Sequence, residues 1–99
     1  MSLFGKWGIV VSTPFGNEDF TMELFEDLSG VLSHYKGFIN FENAKVSNDG
    51  KELNIFANTD IPISTTVSIN AQSDNFVNMN GVVQIGEYAL CNFSARKEQ

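Results

Sequence analysis

The chain is poor in the residues from which most recognisable sites are built. Its 99 residues include one cysteine, one histidine, one tryptophan and two prolines. The single Cys91 excludes an internal disulfide and fits a reducing compartment, with the cytoplasm as the expected location. The single His34 excludes a metal site made of several imidazoles, and neither a metal nor a cofactor is expected. Positive charge is scarce: six Lys and Arg against twelve Asp and Glu give a net charge of −6. That balance opposes nucleic acid and anionic membrane surfaces, which both require a concentrated positive patch. Near the amino terminus the longest apolar run is Ile9-Val10-Val11, too short for a signal core or a membrane span. Strong helix-formers such as Ala, Leu and Arg are few.

What is present in quantity suits short strands and tight turns: nine Phe, eleven Asn and eight Gly. The length allows one domain, residues 1–99, with a single core. Period-two alternation predicts eight strands. The first runs from Phe4 to Thr13 with Trp7, Ile9 and Val11 on one face, and stops at Pro14. Asp19 to Glu26 follows, with Phe20, Met22 and Leu24 in phase. Leu28 to Tyr35 forms the third strand; a helix through Phe20, Leu24, Leu28 and Val31 is set aside because Ser29-Gly30 interrupts it. Phe38 to Ser47 keeps Ile39, Phe41, Ala44 and Val46 on one face only if a bulge near Glu42-Asn43 shifts the phase. Asn48-Asp49-Gly50 is the strongest turn signal, leading into Lys51 to Thr59. After Pro62, Ile63, Thr65, Val67, Ile69 and Ala71 alternate with polar residues without exception. Phe76 to Ile85 and Tyr88 to Arg96 complete the set, and Lys97 to Gln99 are expected to fray.

Eight strands joined by short turns make an antiparallel meander, and pairing the first with the last would remove both exposed edges. The expected fold is all-β, an eight-stranded antiparallel up-and-down β-barrel. Gly5-Lys6-Trp7 on the first strand, with Arg96 at the end of the last, resembles the signature of the calycins, the superfamily of lipocalins and fatty-acid-binding proteins. Thr13-Pro14-Phe15-Gly16, Asp49-Gly50, Ile61-Pro62-Ile63, Gly81-Val82-Val83 and Phe93-Ser94-Ala95-Arg96 extend the likeness to a group of small, lipocalin-like bacterial proteins. The resemblance implies that Trp7 plugs one end of a barrel, that Arg96 lies across it, and that Gly5, Trp7 and Arg96 mark its closure. The terminal helix and disulfide of lipocalins and the helical lid of fatty-acid-binding proteins are missing, so neither family's ligand carries over.

Candidate chemistry is thin. His34 shares its phase with Leu28, Gly30 and Leu32; it either points inward near a barrel mouth, as a ligand contact or general base, or sits on the surface beside Tyr35-Lys36-Gly37. Cys91 is in phase with Ala89 and Phe93 and reads as core, where a thiol is inert. The carboxylates, Glu18 and Asp19 among them, read as solvated turn residues; Glu42 alone is ambiguous. Val10, Phe25, Val31, Phe56 and Val82 are apolar on outward faces and point to a homodimer or larger homo-oligomer. Three functions follow: binding of a small apolar or amphipathic molecule among His34, Tyr35, Phe41, Met79 and Tyr88; a cavity enzyme of cyclase or isomerase type using His34 or a tyrosine; or an oligomeric structural protein without ligand. Binding without catalysis is the leading expectation.

Overall fold

The computed structural model describes residues 2–35, 37–59, 65–87 and 89–98. Tyr88 and the segment 60–64, which contains Pro62 and Ile63, lie outside them. The described chain forms nine strands and no helix: β1 (Gly5–Thr13), β2 (Gly16–Leu24), β3 (Gly30–His34), β4 (Gly37–Phe41), β5 (Lys45–Val46), β6 (Glu52–Thr59), β7 (Thr65–Gln72), β8 (Asn78–Ile85) and β9 (Ala89–Lys97). No helix among them is long and apolar enough to cross a membrane.

All nine strands lie in one antiparallel sheet, in the order β4-β3-β2-β1-β9-β8-β7-β6-β5. First and last strands do pair, Trp7 opposite Lys97 and Ser12 opposite Asn92. The sheet nevertheless has two edges, β4 and β5, because the expected fourth strand is broken rather than bulged. Residues 42–44 leave the ladder, Asn43 takes a left-handed φ of 60°, and the chain resumes as β5 on the opposite edge, pairing with β6. Nine strands therefore replace the expected eight.

That break dictates the overall form. Laid flat, nine strands would span roughly 38 Å at the usual spacing of about 4.8 Å. Four Cα steps separate Phe41 from Lys45, which bridge at most about 15 Å. The edges are thus drawn together and the sheet curls strongly into a half-barrel, with β4 lying against β6 across the seam. The Ala44 amide donates to the Leu28 carbonyl at 2.9 Å and ties the crossing segment down.

Alternation works as the sequence indicates. Trp7, Ile9, Val11, Met22, Leu24, Leu32, Leu53, Ile55, Ala57, Val67, Ile69 and Ala71 turn inward and share one core with Cys91, Phe93 and Ala95. No bulge forms at Glu42-Asn43, but the shift of phase expected there does occur: Phe41 and Ala44 are buried, and Ile39 and Val46 pack against the core.

Candidate functional site

Antiparallel pairing gives the half-barrel two unlike ends. Both described termini, residues 25–29, the crossing segment 42–44, residues 47–51 and residues 73–77 gather at one; the turn after β1 and the junction of β3 with β4 lie at the other. The first is built around Trp7 and the second around His34.

Trp7 is fully buried, and its indole N–H donates to the Leu3 carbonyl at 2.8 Å. Burying so large a ring contributes on the order of 4–6 kcal/mol gross. The cation beside it is Lys97, not Arg96. The Lys97 ammonium stands 5.7 Å from the indole centroid and donates to the Ser2 carbonyl at 2.6 Å. Arg96 faces Gly8 across the ladder and is exposed on the outer face. Inward phase runs through Cys91, Phe93 and Ala95, so the next inward residue is Lys97, which belongs to β9 instead of fraying. Gly5 makes room for it: its φ is 122°, and a Cβ there would meet Lys97 Cε at 3.1 Å.

At the opposite end, His34 Nε2 and Glu18 Oε2 lie 3.1 Å apart, with 15% of the histidine and 45% of the glutamate side chain exposed. A carboxylate only accepts, so Nε2 carries the proton of this hydrogen bond. Phe20 lies against the imidazole with ring centroids 4.6 Å apart, and Tyr35 with centroids 4.2 Å apart. Glu18 belongs to the inward set of β2, opposite Val11 and in phase with Phe20, Met22 and Leu24. This corrects its reading as a solvated turn carboxylate, and the signal was present: the period-two phase of 20, 22 and 24 reaches 18.

The expected ligand residues do not converge. His34 is inward and partly buried, whereas Tyr35 is 79% exposed on the rim. Phe41 and Met79 are core residues, Phe41 opposite Gly30 and Met79 opposite Ala95. Tyr88 lies outside the described residues. Cys91 is buried and free, and Glu42 is exposed. Among the described residues, no three His, Cys, Asp or Glu side chains are grouped to hold a metal ion.

Two carboxylates at the tryptophan end have altered acidity. A hydrogen bond from the Ser29 hydroxyl at 2.6 Å holds the Asp27 carboxyl below its usual range, and the Ser47 hydroxyl at 2.5 Å does the same for Asp49.

Compared with known proteins, the chain matches no family model, no curated protein and no solved structure.

Proposed function

We propose that the protein binds a small amphipathic molecule at the histidine end of the half-barrel, its polar group meeting His34 and Glu18 and its apolar part meeting Phe20 and the inward side chains beside it. The observation that carries this reading is the inward, largely buried imidazole held by an inward carboxylate, at the end that Trp7 does not fill. A polar pair set on an apolar wall can fix the orientation of a ligand, which is what small-molecule sites require. Counted as one interrupted strand, β4 and β5 restore eight strands, and closure across their seam would complete a lipocalin-like barrel. Native mass spectrometry of protein purified without denaturation tests the reading. The expected result is a retained mass increment that is lost in His34→Ala; the bare chain mass in the unaltered protein overturns it.

Self-association is the second reading, favoured by Phe38 and Phe56, which stand exposed on β4 and β6 at the two sides of the seam. The same spectra report it as a dimer mass.

A further inference from the structure

The outer face of β6, β7 and β8 carries an unusual array of amides. Register places Glu52, Gln72 and Asn80 in one cross-strand row, and Asn54, Asn70 and Val82 in the next. With strands about 4.8 Å apart and rows two residues apart, the six positions form a grid of roughly 10 by 7 Å. The five polar side chains of the grid are exposed, and none makes a hydrogen bond to another group among the described residues.

The grid lines a groove of about 430 Å³, whose walls also include Ala71 and Gly81. Ala71 is buried and Gly81 has no side chain, so both reach the groove through their backbone. The two strands close up there: a Cβ on Gly81 would lie 1.9 Å from the Asn70 carbonyl oxygen. Only glycine permits this approach. Two residues beyond Asn54 on the same face, Phe56 presents a ring that is 63% exposed.

This chemistry selects its ligand. Each amide offers a donor and an acceptor, the pairing that a hydroxyl group also offers, and neighbouring amides match neighbouring hydroxyls. An aromatic ring beside them supplies the apolar surface on which the C–H face of a sugar rests. No Lys or Arg lines the groove and Glu52 does, which disfavours phosphates and acidic sugars. We infer that the outer groove of β6, β7 and β8 binds a short neutral saccharide, with Asn54, Asn70, Gln72 and Asn80 on its hydroxyls and Phe56 against a ring. This site lies on the face opposite the core and is independent of the ligand proposed at His34.

Titration of the ¹⁵N-labelled protein with cellobiose, maltose, lactose and N,N′-diacetylchitobiose, followed by amide resonances, tests it. At least one disaccharide is expected to shift the side-chain amides of Asn54, Asn70 and Asn80 in a saturable way. Asn70→Thr should weaken binding roughly tenfold, as for the loss of one or two hydrogen bonds. Asn80→Ser provides a second variant if Asn70→Thr does not fold. Asn92→Thr, on the same face but outside the groove, and His34→Ala should both leave binding unchanged. Absence of saturable shifts with all four sugars overturns the proposal, as do equal shifts with glycerol, an equal loss in Asn92→Thr, or shifts that instead track dimer formation.

Discussion

The two ends of the half-barrel invest their residues differently. At the tryptophan end, Leu3, Trp7, Leu24 and Leu53 are almost wholly buried, and Phe4, Leu28, Val46 and Phe76 pack against them. Among the described residues, the three non-glycine residues with left-handed backbone, Leu28, Asn43 and Phe76, occupy the loops of this end. Such conformations cost about 1 kcal/mol or more each and persist where packing enforces them. Ser73 is buried there too, its hydroxyl donating to the Asn78 carbonyl at 2.6 Å and accepting from the Phe76 amide at 3.0 Å. At the histidine end burial is shallower: Val11, Ala57, Val67 and Cys91 are buried, but Phe20 is half-buried, His34 keeps 15% of its side chain exposed, and Phe15 and Tyr35 stand in solvent. The deepest apolar burial lies where the termini meet, and the polar pair sits where burial is shallower.

That contrast is open to measurement. Trp7→Ala should cost about 3–5 kcal/mol, a large share of the stability of a domain this size, whereas His34→Ala, which removes one hydrogen bond and a smaller ring, should cost about 1–2 kcal/mol. Urea denaturation followed by circular dichroism compares them, and equal losses would break the distinction between the ends. A smaller effect separates the two terminal cations. Lys97→Met should lower stability by about 0.5–1 kcal/mol through loss of the contact with the indole, and Arg96→Ala should fall within about 0.5 kcal/mol of the unaltered protein. Thermal melts of the two variants decide which residue closes this end, since the opposite order would return the role to Arg96.

Smallest of all is a pH effect confined to the tryptophan end. The serine hydrogen bonds hold the Asp27 and Asp49 carboxyls below the usual carboxylate range in the folded state. Carboxyls depressed in this way add stability that is complete above about pH 4 and fades as the pH falls through the folded value. Both are exposed, so the gain is modest and salt-screened. The double variant Asp27→Asn with Asp49→Asn should therefore lose less stability between pH 5 and 3, roughly the range over which these groups titrate, than the unaltered protein. An identical slope would show that the serine hydrogen bonds contribute nothing.

Much of this was legible in the chain, and two of the departures from expectation were legible as well. Alternation marked the inward residues of β1, β6 and β7 correctly because a strand with one face in a core must repeat every two residues. The same rule, continued past Ala95 to position 97 and back from Phe20 to position 18, gives Lys97 and Glu18 inward positions. Arg96 was preferred on family resemblance, and Glu18 was grouped with the turns, although phase spoke against both. The interruption after Phe41 is different. A bulge and a strand break produce the same local pattern, Phe41, Ala44 and Val46 on one side, and nothing in residues 38–47 tells which neighbour each half will pair with.

By itself the sequence determined an all-β chain, the positions of most turns and the side each strand presents to the core, because backbone preference and alternation are properties of neighbouring residues. Only the tertiary structure decided that β4 and β5 lie on opposite edges, that the sheet curls to bring those edges together, and that His34 meets Glu18 from sixteen positions away. Those outcomes depend on which distant strands pair, and pairing is settled by the shared burial of the whole core rather than by any one stretch of chain.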